Sequence, residues 1–157
     1  MRLKTAAAAA LLCLTAGKLA AQAPRMGGQL SFAQDVNAGV GLRLEDPLAP
    51  PASHDLRVIG TFDYYFPNTP FQYWELNGNV AWGFRLAPAR LALYVGGGIN
   101  IARSGVRGVP DAAQTDLGAN LLVGFRFLTG TSATPYVELR PELGGGNRLV
   151  VSTGVMF

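Results

Sequence analysis

Apolar and polar residues alternate along most of the chain with a period of two, the pattern of β-strands whose two faces meet different surroundings. The clearest stretch places Trp74 and Val80 on one side and Glu75 and Asn77 on the other. Outside the first 23 residues no helical period competes with it. The pattern predicts strands over residues 28–34, 38–45, 56–66, 74–86, 91–102, 116–127, 134–140 and 148–157.

Clusters of proline and glycine separate these segments, as expected for turns between strands. They occupy residues 46–55, 67–70, 87–89, 105–113, 129–133 and 144–146. The strand count depends on Asp35-Val36-Asn37. If these residues form a hairpin turn the chain has eight strands, and if 28–45 is one long strand it has seven.

The two sides of the alternation differ in a way that favours a membrane barrel over a soluble one. One side is bulky and apolar, whereas the other consists of glycine, alanine, asparagine, serine and charged residues, which suit the crowded interior of an eight-stranded barrel. Because lipid offers no hydrogen bonds, such a sheet must close on itself. Aromatic residues near the strand ends predict an interfacial girdle of Tyr64, Phe66, Trp74, Phe84 and Phe127.

Charged residues fall mostly on the polar side, where they would point into the barrel. Buried charges are tolerated when they are paired and hydrogen-bonded, and the planar guanidinium of arginine suits that role. We therefore expect a lumenal ion-pair network of Arg43, Arg57, Asp63, Glu75, Arg85, Asp116, Arg126, Glu138 and Arg140. Glu45 and Arg148 are expected to be solvated at the rims.

The first 23 residues predict a secretory signal peptide. Arg2 and Lys4 give a positive start, and residues 5–17 form an apolar stretch too short to cross a bilayer. Cleavage is expected after Ala23 or after Ala21, which leaves 24–157 as the barrel domain. Beyond Ala23 the chain has ten arginines, ten acidic residues and no lysine, so the isoelectric point of 9.4 gives no reason to expect a nucleic-acid partner.

The C-terminal segment ends on an aromatic residue at the close of an alternating strand. Its outward set would be Leu149, Val151, Thr153, Val155 and Phe157. Together with Gly124-Phe125-Arg126-Phe127 and residues 136–140, this segment resembles the small eight-stranded bacterial outer-membrane barrels, the superfamily of opacity and attachment/invasion proteins. The resemblance covers about residues 27–157. It implies that the C-terminal strand is the signal read by the barrel assembly machinery.

The expected fold is therefore all-β: a closed antiparallel up-and-down transmembrane barrel of about eight strands, preceded by a cleaved signal-peptide helix. Eight is preferred because bacterial single-chain barrels have even strand numbers, with both ends in the periplasm. In that topology the longest external loop runs over 103–113, and 46–55 is a long periplasmic turn. The short external loops argue against a large adhesive surface.

Candidate chemistry is sparse. His54 is the only histidine, and it lies beside Ser53 and Asp55, so a lipid-A-modifying hydrolase is one hypothesis. Glycine runs at 96–98 and 144–146 lack the lysine and the helix of a phosphate-binding loop. Glu75 and Glu138 could face one another as a carboxylate pair, but neighbouring arginines favour ion pairing. We expect no metal site and no cofactor.

Four functions compete at this stage. The first is a non-enzymatic outer-membrane barrel with an envelope-structural or surface-interaction role; the others are a narrow passive pore, a lipid-A-modifying enzyme and a soluble periplasmic ligand-binding barrel. Expected partners of the first are outer-membrane lipid and lipopolysaccharide, with the assembly machinery and periplasmic chaperones during biogenesis. We expect a monomer.

Overall fold

The computed structural model describes residues 24–48, 55–68, 70–86, 90–144 and 147–157. Eight antiparallel strands form there: β1 (Arg25–Ala33), β2 (Asn37–Pro47), β3 (Asp55–Tyr65), β4 (Phe71–Leu86), β5 (Leu91–Val106), β6 (Val109–Phe127), β7 (Thr134–Leu143) and β8 (Arg148–Met156). Each strand pairs with its sequence neighbours, and β1 also pairs with β8. The predicted closed up-and-down barrel of eight strands is confirmed. Across these residues, no helix has the length and apolar character needed to cross a membrane.

The signal peptide assigned to residues 1–23, with cleavage after Ala21 or Ala23, lies outside the described residues, and so does His54. We call the end of the barrel where β1 begins and β8 ends the terminal end, and the opposite end the far end. The turns after β1, β3, β5 and β7 lie at the far end, because successive strands run in opposite directions.

The turn between β1 and β2 settles the strand count. Asp35 and Asn37 have φ angles of 66° and 81°, a left-handed conformation that Asp and Asn tolerate better than other non-glycine residues. The amide of Val36 donates to the carbonyl of Ala33 over 3.2 Å. The chain therefore reverses after β1 and pairs back onto it, which excludes one long strand over 28–45.

The predicted external loop over 103–113 is wrong. β5 continues to Val106 and β6 begins at Val109, so Arg107 and Gly108 alone connect the two strands. Gly108 has a φ of 82°, which a glycine adopts without strain. The strand register shifts between Ser104 and Val106, so the hairpin holds an irregular stretch where the sequence showed turn residues.

Exposure separates the two faces of the barrel as the alternation predicted. Asn100 and Asn120 are 3% and 2% exposed, whereas their neighbours Ile99 and Leu121 are 60% and 58% exposed. The same contrast holds on other strands, for example between Arg43 at 1% and Leu42 at 65%. Most large apolar side chains therefore point outward, with buried exceptions such as Ile59 and Leu122, and the ionised side chains of mid-strand positions point into the lumen.

The lumen is narrow enough that large side chains lie opposite glycines. Tyr94 pairs across the sheet with Gly124, and a Cβ added at Gly124 would lie 2.3 Å from the Tyr94 hydroxyl oxygen. Tyr65 stands in the same way opposite Gly39. Each ring thus occupies the volume that its neighbour leaves free, which keeps the interior at the density of a packed core.

Outward-facing aromatic residues lie near both ends of the barrel. Tyr64, Phe66 and Trp74 lie near the far end, where the rings of Tyr64 and Phe66 meet edge to face at 5.5 Å. Phe84 and Phe127 lie near the terminal end, and both are 44% exposed. The five residues assigned to the girdle are therefore divided between two levels, one toward each end.

We predict that Gly124→Val destabilises the barrel by about 1–3 kcal/mol, the range for overpacking a filled interior. The cause is the collision with the Tyr94 ring, which is fully buried. Urea unfolding in detergent micelles, followed by heat-modifiable gel migration, measures the effect. Gly78→Val is the matched control, since nothing lies within 4 Å of a Cβ added there. Equal destabilisation by the two variants would contradict the packing argument.

Candidate functional site

The lumen holds a continuous set of ionised side chains because the pleat points alternate residues of every strand inward. Five arginines and six acidic residues take part, from six of the eight strands: Arg43, Arg57, Arg126, Arg140, Arg148, Glu45, Asp55, Asp63, Glu75, Glu138 and Glu142. They form two clusters joined by one bridging carboxylate. We call the whole set the lumenal network.

The cluster nearer the terminal end centres on Glu45. Its carboxylate lies 2.8 Å from Nε of Arg43, 2.9 Å from Nη1 of Arg57 and 3.2 Å from Nη2 of Arg126. Glu45 is 1% exposed, so the three guanidinium groups replace the water it would bind outside. Asp55 adds a second carboxylate, which pairs with Arg57 and lies 3.7 Å from Nη1 of Arg126.

Glu138 joins the two clusters. Its Oε2 accepts from Nη1 of Arg43 over 2.7 Å and from the Tyr94 hydroxyl over 2.9 Å. Its Oε1 lies 3.7 Å from Nη1 of Arg140. Arg43 and Arg140 belong to different clusters, so this single carboxylate makes the network continuous along the lumen.

The cluster nearer the far end centres on Arg140. Its guanidinium lies 3.1 Å from Glu142, 3.3 Å from Glu75 and 3.5 Å from Asp63. Arg140 is 0% exposed, and three carboxylates from three strands surround it. One arginine thereby ties β3, β4 and β7 together, through a geometry that its forked donors make possible.

Arg148 completes the cluster nearer the far end. It lies 3.8 Å from Glu75 and 3.9 Å from Glu142, and its guanidinium carbon lies 4.4 Å from the ring centroid of Tyr73. The Tyr73 hydroxyl in turn donates to Glu75 over 2.5 Å. A cation over an aromatic face gains from the ring's negative π-surface, so the tyrosine stabilises both partners.

Two more tyrosine rings support arginines nearer the terminal end. The guanidinium of Arg43 lies 4.3 Å from the ring centroid of Tyr136, and that of Arg126 lies 4.3 Å from the ring centroid of Tyr94. Sequence reasoning assigned these tyrosines no role. Tyr94 does share the parity of the inward-facing residues, which was the available signal.

Neutral amides on β4, β5 and β6 also point into the lumen. Asn120 donates to Asn77 over 2.8 Å, and Asn77 donates to Thr61 over 3.2 Å. Asn79 and Asn100 are 2% and 3% exposed. Among the described residues, neither amide atom of Asn79 has a hydrogen-bond partner. These amides add polar, un-ionised groups to the lumen beside the ion pairs.

Seven of the nine residues assigned to the network meet in the lumen, and two do not. Arg85 is exposed near the terminal end, where β4 is close to its last residue. Asp116 is half-buried near the far end and accepts from Gln114 over 2.8 Å. Their side of the strand was read correctly, but both lie beyond the levels where opposite charges meet.

The expectation that Glu45 and Arg148 are solvated at the rims is wrong. Glu45 lies at the centre of a cluster, and the Arg148 side chain is 14% exposed and packed on Tyr73. Both residues stand near the ends of their predicted strands, which suggested a rim. Glu142 was missed for the related reason that its predicted strand ended at Arg140, whereas β7 continues to Leu143.

The structure does not bring Glu75 and Glu138 together as a carboxylate pair. Glu75 and Glu138 are separated by Arg140, which lies 3.3 Å from the first and 3.7 Å from the second. In the described part of the chain, no group of three or more His, Cys, Asp or Glu residues is arranged to hold a metal ion.

Comparisons with known proteins identify a shared fold. No protein-family model and no curated protein sequence matches the chain. The chain is similar to the crystal structure of Neisserial surface protein A, with a TM-score of 0.63, 17% identity, and coverage of 85% of this chain and 94% of that one. It is also similar to the N-terminal β-barrel domain of Pseudomonas aeruginosa OprF, with a TM-score of 0.67, 13% identity, and coverage of 85% and 96%.

We predict that Glu45→Gln lowers the free energy of unfolding by roughly 3 kcal/mol, because it leaves two buried guanidinium groups and the partly buried one of Arg57 short of a counter-charge. Urea titration in detergent micelles measures the change. Asp116→Asn is the matched control, since that carboxylate is half-buried and bound to a neutral amide. A loss for Glu45→Gln no larger than for the control would show that the cluster does not stabilise the barrel.

Proposed function

We propose that the chain is an integral outer-membrane β-barrel of a Gram-negative bacterium, with a non-enzymatic envelope-structural or surface-interaction role. The observation that carries the proposal is that the outer face of the barrel is apolar and the lumen is ionised, which is the reverse of a soluble protein. Leu30, Leu42, Ile99, Leu117 and Leu121 are 58–69% exposed on four strands, while most ionised side chains are buried in the lumen. Such an apolar belt favours acyl chains over water.

The hydrogen-bonding pattern supports the same proposal. Every strand has a hydrogen-bonded neighbour on each side, so the barrel closes without an edge strand. Bilayers require this, because an unpaired backbone group in lipid costs several kcal/mol. The aromatic residues toward both ends support it further, since Trp and Tyr favour the boundary between acyl chains and water.

Export and assembly complete the proposal. Residues 1–23 would direct the chain out of the cytoplasm and be cleaved after Ala21 or Ala23. Periplasmic chaperones would then deliver it to the barrel assembly machinery, which would read Leu149, Val151, Thr153, Val155 and Phe157. These residues face outward on or directly after β8, the strand that closes the barrel against β1. In this topology the terminal end is periplasmic, and the barrel is a monomer.

A passive pore is disfavoured by what fills the lumen. Glu138 bridges two clusters of ion pairs, and the rings of Tyr94 and Tyr136 pack beside them. Moving Glu138 or Arg43 aside would break ion pairs in the buried lumen, at a cost of several kcal/mol. We therefore propose a closed lumen that stabilises the barrel.

The two remaining alternatives have weaker support. A lipid-A-modifying enzyme rests on His54, which lies outside the described residues, and the described carboxylates of the lumen are held by arginines. A soluble ligand-binding barrel needs an apolar interior and a charged exterior. The exposures of Asn120 and Leu121 give the opposite arrangement.

We predict that single-cysteine variants at adjacent positions report opposite surroundings in native outer membranes. A spin label at position 121 should be accessible to oxygen dissolved in lipid, because Leu121 is 58% exposed on the belt. A label at position 120 should be shielded from lipid, because Asn120 is 2% exposed and faces the lumen. The reverse assignment, or recovery of the protein from the soluble periplasm, would refute the membrane proposal.

We also predict that the wild-type barrel shows no steady openings in planar bilayers, because the lumenal network fills its cross-section. Arg43→Ala combined with Glu138→Ala removes one charge of each sign together with the bridge between the clusters. This double variant should open more often than wild type, which shows that the assay detects a widened lumen. Steady openings of the wild-type barrel would favour the pore.

A further inference from the structure

One cation interrupts the apolar outer surface of the barrel. Along the regularly paired stretches of the described strands, the outward-facing positions carry two charged residues, Asp46 near the terminal end and Arg103 near the far end. Arg103 is exposed, and its neighbour Ala102 points inward at 5% exposure. An isolated arginine on a lipid-facing surface is costly unless its charge reaches the headgroup region or an anion.

Two neighbours fix the position of Arg103. In the sheet it pairs with Trp74 on β4 and with Thr115 on β6. Its Nη1 also donates to the Thr115 hydroxyl over 3.2 Å. That contact uses one of the five N–H donors of the guanidinium. Trp74 contributes an aromatic surface of the kind that lies at the headgroup level of bilayers.

A groove opens beside this arginine. Its volume is about 210 Å³, and it is lined by Gln72, Trp74, Arg103, Gly105 and Ala113, among others. Gly105 leaves space on this side, since a Cβ added there would lie 3.5 Å from the Cβ of Ala113. The groove is smaller than the roughly 300 Å³ at which pockets begin to enclose a drug-sized molecule, so it suits one polar group of a larger ligand.

The next outward row, toward the middle of the barrel, is entirely apolar. Leu76, Ile101 and Leu117 lie side by side on β4, β5 and β6, one step below Trp74 and Arg103. They are 48%, 37% and 69% exposed. A ligand whose anionic group lies in the groove would therefore lay its remainder along an apolar surface, which is the geometry of an amphiphile.

We propose that this groove binds the phosphate of a membrane lipid headgroup, with Arg103 as the anion ligand and the acyl chains over the apolar row below it. Arginine pairs with phosphate through two parallel N–H donors, which gives both charge and directional complementarity. The proposal rests on the proposed function, because it needs the far end to lie at the outer leaflet. It adds a defined lipid site to a belt that would otherwise be non-selective.

Native mass spectrometry of the purified barrel in non-ionic detergent tests the site. The probes are phosphatidylglycerol, a diacylglycerol with the same acyl chains, and inorganic phosphate. Wild type should retain phosphatidylglycerol in preference to diacylglycerol. Arg103→Gln should weaken that retention by about tenfold, as expected for the loss of a charge-assisted hydrogen bond. Arg107→Gln is the matched control, since Arg107 is exposed in the adjoining turn.

Two further variants separate a built site from general attraction to anionic lipid. Arg103→Lys keeps the charge but loses the fork, so retention should fall, whereas a merely interfacial cation would tolerate the change. Gly105→Leu fills the groove while leaving the charge in place, and it should also reduce retention. Full retention in both variants would overturn the site.

The remaining outcomes are equally decisive. Equal losses for Arg103→Gln and Arg107→Gln would reduce the effect to net charge, and displacement of the lipid by inorganic phosphate would indicate a site for free phosphate. Heat-modifiable migration of each variant in the membrane fraction is measured in parallel. If Arg103→Gln migrates as a folded membrane barrel with unchanged lipid retention, the lipid site alone fails. If wild type is absent from the membrane fraction, the proposed function fails.

Discussion

A charge placed inside an eight-stranded barrel must find its counter-charge across the lumen, because the interior is only wide enough for side chains to fill it. The ionised residues of this chain satisfy that constraint collectively. Glu45 forms ion pairs with three arginines. Arg140 forms ion pairs with Asp63, Glu75 and Glu142, and Glu138 connects the two groups. Most members of the network have more than one partner, so it is a structural core built from shared ion pairs.

The outer surface follows from the same geometry. Once charges occupy the inward positions, the pleat sends Leu42, Ile99 and Leu121 outward, and these exposed side chains then need an apolar solvent. The barrel therefore has an ionised inside and an apolar outside, which is the reverse of a soluble protein. Closure between β1 and β8 is what makes the reversal stable, because it removes the strand edges that lipid could not hydrogen-bond.

The sequence was sufficient for the fold, because a period of two identifies both a strand and the side on which each residue lies. It was insufficient to predict where along the barrel axis each inward residue lies. Glu45 and Arg85 both read as inward residues near strand ends, yet one is at the centre of a cluster and the other is exposed. That position along the axis depends on the register between strands, which no single strand encodes. The extension of β5 and β6 over 103–113 was missed for a similar reason, since residues typical of turns can pair when neighbouring strands continue past them.

The pairing of tyrosines with glycines has a consequence for how such a barrel can change. Strand number sets the width of the bore, and couples such as Tyr94 with Gly124 set how much of that width the side chains fill locally. Shortening one aromatic member would clear a ring-sized space while leaving strand number, closure and the outer surface intact. A sealed barrel and a permeable one can therefore be near neighbours in sequence space, separated by a few inward substitutions on one unaltered frame.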